Sequence, residues 1–152
     1  MSTVVGSDYE EFLMNLFLDV DDLGAGVIDP HQMYKALSYT ITPFRHRSIT
    51  ELTAAFLMTL VDRDNTGFVN MQQFLRIHQI FSHFWMAFRI YDPNDSGWIK
   101  YTDLEAAMAY CCLPMTERPA NDVLHQVHRR ARLCLDHFIR LCALSMSDML
   151  DQ

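Results

Sequence analysis

Asp62-Arg-Asp-Asn-Thr-Gly-Phe-Val-Asn-Met-Gln-Gln73 decides how this chain is read, together with its echo Asp92-Pro-Asn-Asp-Ser-Gly-Trp-Ile-Lys-Tyr-Thr-Asp103. Each stretch is twelve residues long, with oxygen-bearing side chains at positions 1, 3 and 5, glycine at 6 and an aliphatic residue at 8. Oxygen donors at alternate positions around a sharp glycine turn are what a hard divalent cation requires. The second stretch starts 30 residues after the first, so the pattern is also an internal repeat. Both features point to an ion site, or to a fold descended from one, rather than to catalysis.

The pattern is that of an EF-hand calcium loop, which also uses a backbone carbonyl at position 7, often a water at 9, and a bidentate carboxylate at 12. The 92–103 loop offers Asp92, Asn94, Ser96, the Trp98 carbonyl and Asp103. Asp95 at position 4 is expected to face solvent, and Lys100 at position 9 brings positive charge close to the site. Asp103 is one methylene shorter than glutamate, so bidentate reach is harder. Weak calcium binding is expected here, with a drift toward a smaller six-coordinate ion such as magnesium. The 62–73 loop offers Asp62, Asp64, Thr66, the Phe68 carbonyl and Asn70. Gln73 at its twelfth position has the reach of glutamate but one oxygen and no charge, so calcium binding is expected to be weaker still or absent. The bland reading of both loops is an EF-hand backbone kept without an ion.

The same phasing reveals two decayed repeats. Asp21 to Gln32 keeps Gly26 and Ile28 at positions 6 and 8, but has Leu23, Ala25 and Gln32 at 3, 5 and 12. Leu133-Cys-Leu-Asp-His-Phe-Ile-Arg-Leu141 reads as the second half of a hand, with Leu133 at position 8 and Phe138 starting its exit-helix core. Its first half, Gln126 to Arg132, holds no carboxylate. Four hands therefore fit, at about 8–39, 48–82, 80–112 and 120–144, in pairs joined by Ile28 with Val69 and Ile99 with Leu133. The expected class is all-α: about eight helices in two pairs of hands, with short β-bridges between paired loops. A segment 1–7 is expected to be disordered, with the domain over 8–152.

Helix-type apolar spacing dominates the chain. Tyr9, Phe12, Leu13, Leu16 and Phe17 predict a helix over 8–19 capped by Ser7 or Asp8. Pro30 suits the first turn of a helix over 30–38. Ser48 or Thr50 is expected to cap a helix running to about Leu60. Met71 to Tyr91 lacks glycine and proline, and it reads as one helix of about 30 Å shared by the second and third hands. Further helices are expected over 102–111, from Asn121 or Asp122 to about Arg130, and from Asp136 to Leu150.

Composition sets the outer bounds. Half of the 152 residues are hydrophobic, enough for a sizeable core. Twelve basic against 19 acidic residues give a net charge of −7, which disfavours nonspecific nucleic-acid binding and agrees with cation binding. No signal pattern opens the chain and no apolar run approaches the about 20 residues of a membrane span. Cys111, Cys112, Cys134 and Cys142 show no CxxC spacing, so reduced thiols in a cytoplasmic or nuclear protein are expected.

Other constellations carry less. His125, His128, Cys134 and His137 have spacings seen among zinc ligands, yet their order fits no standard finger, and a solvated helix face is preferred. Cys111 or Cys112 with a histidine is a conceivable nucleophile pair, but nothing local supports activation and no enzyme is expected. Arg129, Arg130 and Arg132 form a basic run that suits anionic lipid or phosphate. Part of the aromatic and Met face of 74–91 suits an amphipathic partner helix.

The order of parts resembles the penta-EF-hand family of calpain regulatory domains, sorcin and grancalcin. The residues that carry it are Phe74 through Trp85-Met-Ala-Phe-Arg-Ile-Tyr91, then Asp92 to Asp103, then Leu104-Glu-Ala-Ala-Met, and Leu135 to Leu144. The resemblance implies a non-catalytic regulatory or adaptor protein that binds a protein partner, an amphipathic helix or a calpain-like protease chain. A regulatory subunit of such a protease and a calcium-independent EF-hand scaffold are the alternatives. The family carries glutamate at the twelfth position of its first three loops, where this chain has Gln32, Gln73 and Asp103. The family's fifth hand makes a homodimer. Only residues 142–152 follow Leu141, too few for a further helix and loop, so the resemblance leaves the oligomeric state open.

Overall fold

Three loops follow one backbone course. Positions 4 and 6 have positive φ in each: Gly24 and Gly26, Asn65 and Gly67, Asp95 and Gly97. Glycine reaches this region without cost, and Asn and Asp tolerate it better than other residues. The first loop thus keeps the shape of the others although its ligand side chains are gone. Asp21 still organises it, accepting from the N–H of Ala25 at 2.9 Å and of Gly26 at 2.8 Å.

The computed structural model describes residues 2–42, 47–114 and 132–151, with side chains from residue 8 onward. In order it contains α1 (Ser2–Val20), β1 (Val27–Ile28), α2 (Pro30–Thr40), α3 (Glu51–Thr59), β2 (Val69–Asn70) and α4 (Met71–Tyr91). Then come β3 (Trp98–Lys100), a 3₁₀ turn (Tyr101–Asp103), α5 (Leu104–Tyr110), β4 (Arg132–Cys134) and α6 (Leu135–Leu150). β1 pairs antiparallel with β2 and β3 with β4. The registers place Ile28 opposite Val69 and Ile99 opposite Leu133, the pairs expected from loop position 8. All four side chains are buried.

Several boundaries differ from expectation. α1 begins at Ser2, ahead of a cap at Ser7 or Asp8, so helical backbone crosses most of the segment expected to be disordered. Nothing between Ser2 and Tyr9 is a proline, so each added residue can extend the helical ladder. Leu13, Leu16 and Phe17 join the core, whereas Tyr9 and Phe12 lie at its edge, 49% and 40% exposed. The third exit helix opens with a 3₁₀ turn, and Lys100 before it supplies no side-chain cap. The expected helix from Asn121 or Asp122 to Arg130 falls outside the described residues. Among those described, no helix is long and apolar enough to cross a membrane.

α4 connects the two halves of the core. Phe74, Ile77, Phe81, Phe84 and Phe88 are all buried along it. At one end the Phe74 ring lies 5.7 Å from that of Phe17 on α1, and at the other Phe88 lies 5.8 Å from Phe138 on α6. α3 is fastened to α6 by polar contacts. Thr50 caps α3, and Asp136 in the first turn of α6 accepts from the Thr50 N–H at 2.6 Å and its hydroxyl at 3.0 Å. Arg140 donates to the other Asp136 oxygen at 2.6 Å and to the Thr53 hydroxyl at 3.2 Å.

His78 on α4 is buried beside the Tyr9 hydroxyl and Ser82, each at 3.3 Å. Burial lowers its pKa to about 4. The unfolded chain therefore binds more protons between about pH 6.5 and 4. His78 contributes stability above that window and loses it as the pH falls through it, by up to about 1.4 kcal/mol per unit. His78→Gln should flatten this part of the profile in urea denaturation followed across pH. Identical slopes in the two proteins would contradict the assignment.

Candidate metal centre

The third loop gathers its predicted donors around one cavity of about 470 Å³, lined by Asp92, Asn94, Ser96, Trp98 and Asp103 together with Lys100 and Arg132. Asp92 ends α4 and is buried. Its Oδ1 accepts from the Ser96 N–H at 2.8 Å and from the Ser96 hydroxyl, and its Oδ2 accepts from the Gly97 N–H at 3.0 Å. The Ser96 hydroxyl also lies 3.2 Å from the Trp98 carbonyl oxygen. Positions 1, 5 and 7 thus converge and are closed by hydrogen bonds among themselves. Among the described residues, the Asp103 carboxylate has no hydrogen-bond or ion-pair partner.

The second loop repeats this arrangement around a cavity of about 460 Å³ lined by Asp62, Asp64, Thr66, Phe68 and Gln73. Asp62 accepts from the Thr66 N–H at 3.0 Å, the Thr66 hydroxyl at 2.8 Å and the Gly67 N–H at 2.7 Å. The Thr66 hydroxyl lies 3.1 Å from the Phe68 carbonyl oxygen. Burial opposes ionisation of Asp62, yet these hydrogen bonds prevail and hold the carboxyl below its usual range. The same balance lowers the pKa of Asp92, where a guanidinium adds to the hydrogen bonds from Ser96 and Gly97.

The twelfth positions divide the loops. Gln73 accepts from the Asn70 N–H at 2.8 Å, while Asn70 accepts from the Gln73 N–H at 2.9 Å. Gln32 and Asp29 form the same reciprocal box in the first hand, at 2.8 and 2.9 Å. Both glutamines therefore turn their single oxygen to a helix N-terminus rather than to the loop. The signal was present in the sequence, because Asp29-x-x-Gln32 and Asn70-x-x-Gln73 are capping-box spacings. Reading the glutamines only as weakened ligands missed it. The third loop has no such box, and its Asp103 lines the cavity without a side-chain cap bond. Its all-oxygen donor set fits a hard divalent cation in kind.

One participant was not expected at all. Arg47, just before α3, is buried against this loop. Its Nη2 donates to the Asp92 carbonyl at 2.6 Å and to Oδ2 at 3.2 Å, and its Nε lies 3.1 Å from Asp95 Oδ1. Asp95, expected to face solvent, is therefore turned partly inward by the guanidinium. No sequence signal links Arg47 to a loop 45 residues away.

The remaining expected sites resolve as follows. Arg132 lies 3.7 Å above the Trp98 ring at the mouth of the third loop, and Arg129 and Arg130 fall outside the described residues. His125 and His128 also lie outside them. No group of three or more His, Cys, Asp or Glu side chains suited to a metal occurs among the described residues. All four cysteines are free. The Cys111 thiol faces the backbone carbonyl of His83 at 3.6 Å, not an imidazole.

No protein-family model matches the chain. Its fold does match a solved structure, that of a homolog of programmed cell death 6 protein from Leishmania major Friedlin. The two agree with a TM-score of 0.58 over 84% of this chain and 71% of that one, at 22% sequence identity. At that identity the likeness is one of fold, and it covers most of the mostly helical, loop-paired architecture described above.

Proposed function

We propose that this chain is a non-catalytic adaptor or regulatory protein of penta-EF-hand type, which binds a protein partner and takes a divalent ion weakly, at its third hand at most. The observation that carries this is the third loop, where Asp92, Asn94, Ser96, Trp98 and Asp103 line one cavity while Gln32 and Gln73 are used in capping. Asp92, Asn94, Ser96, the Trp98 carbonyl and Asp103 would hold calcium or magnesium there, which would supply positive charge among these oxygens. A groove of about 660 Å³ between α1 and α4, lined by Tyr9, Leu13, Leu75, His78 and Met86, offers mixed apolar and polar surface to an amphipathic helix.

The capping boxes favour a second reading, a scaffold that never needs an ion. Calorimetric titration with calcium and magnesium separates the two. Asp103→Ala is the control of choice, because it removes a carboxylate that holds nothing else in the loop. The adaptor reading expects a dissociation constant of about 10⁻⁴–10⁻³ M in the wild type and loss of the signal in Asp103→Ala. An absence of heat from the wild type at millimolar ion would leave the scaffold reading.

A further inference from the structure

Arg47 occupies an unusual place for a buried cation. Its side chain is 2% exposed, as is that of Asp92. The guanidinium lies 4.9 Å from the Trp85 ring centre and 5.7 Å from that of Phe88, both on the last turns of α4. On its other side it meets the Asp92 carboxylate, the Asp92 carbonyl at the C-terminus of α4, and Asp95. Positive charge at a helix C-terminus is favourable, and a planar fork suits a carboxylate and a carbonyl at once. Lys100 and Arg132 line the same loop. Three basic groups of the chain thus stand near the carboxylates of this loop, and Arg47 is the one that pairs with Asp92 and Asp95.

We propose that Arg47 is the resident cation of the third loop: it neutralises Asp92 and Asp95 from the buried side and thereby sets how weakly the loop takes a divalent ion. The inference rests on reading 92–103 as an ion loop. The physical reason is competition for one carboxylate. An incoming ion must share Asp92 with a guanidinium that water cannot screen, so like charges repel across it. Arg47 comes from the connector between the first two hands, so the competition also ties that connector to the state of the third loop. Ion binding would loosen the hold of Asp92 on Arg47 and on the segment leading into Thr50, the cap of α3.

The test titrates calcium into the wild type, Arg47→Gln and Arg47→Lys. Glutamine keeps a donor for the Asp92 carbonyl but removes the charge, and lysine keeps the charge. Arg47→Gln is expected to bind about tenfold more tightly than the wild type, with Arg47→Lys close to the wild type. Equal affinity in the wild type and Arg47→Gln would overturn the proposal and leave the ion reading standing. Heat from Arg47→Gln but none from the wild type would support the proposal and sink the reading that the natural chain loads an ion. No heat from either would overturn both. If Arg47→Gln proves too unstable to titrate, the rise in melting temperature on adding millimolar calcium replaces it. A larger rise than in the wild type supports the resident cation, and an equal rise overturns it.

Discussion

Phe88→Ala is expected to lower the stability of the chain by about 3–5 kcal/mol. Phe88 is fully buried near the end of α4. Its ring packs against Phe138 of α6, at 5.8 Å, and against the Arg47 guanidinium, at 5.7 Å. Truncation removes the transfer energy of the ring and leaves a cavity between three elements that come from distant parts of the sequence. The cavity closes poorly because Arg47 is held by Asp92 and cannot follow the receding surface. Urea denaturation at neutral pH, with the slope compared to confirm the same unfolding transition, measures the loss. A loss below about 1 kcal/mol would mean that the site collapses freely, and that this end of α4 is not a rigid part of the core.

Asp136→Ala is the second large effect, at about 3–5 kcal/mol. The Asp136 and Arg140 side chains are 10% and 13% exposed, so the ion pair is largely withdrawn from water. Removing the carboxylate leaves Arg140 as a poorly solvated charge, and it takes an acceptor from the Thr50 N–H and hydroxyl at the start of α3. Breaking such a pair from one side costs more than the pair is worth, because the other charge stays behind. Two companions separate these contributions. Asp136→Asn keeps an acceptor for Thr50 but not the charge, and should lose less than alanine. Asp136→Ala combined with Arg140→Met removes the stranded cation, and should recover part of the loss. A double variant as unstable as the sum of its parts would show that the two side chains act independently.

Much of the architecture was legible because its causes are local. The positive φ at the fourth and sixth loop positions calls for glycine, asparagine or aspartate, and the chain supplies Gly24 and Gly26, Asn65 and Gly67, Asp95 and Gly97. Ile28 with Val69 and Ile99 with Leu133 were readable because a twelve-residue loop places its eighth residue at a fixed point of the turn. α4 was legible end to end, since neither glycine nor proline interrupts it. The start of α1 was not, because Ser7 and Asp8 are good caps and nothing nearby shows that the helix continues past them.

The candidate site divided in the same way. Asp62, Asp64, Thr66, Phe68 and Gln73 line the second loop's cavity, and Asp92, Asn94, Ser96, Trp98 and Asp103 line the third's, whereas Asn70 caps α4 instead. What Gln32 and Gln73 do was decided by a contest between two partners, a loop interior and a helix N-terminus. The spacing admitted both, and the hydrogen bonds of the folded chain select the helix.

The sequence by itself determined the turns of the described loops, the two strand pairs and the long helix α4, because turn chemistry and apolar periodicity act over a few residues. The tertiary structure alone decided how the third loop is charged. A guanidinium from residue 47 reaches Asp92 while lying against the Trp85 and Phe88 rings of α4, and that contact depends on packing between segments 45 residues apart.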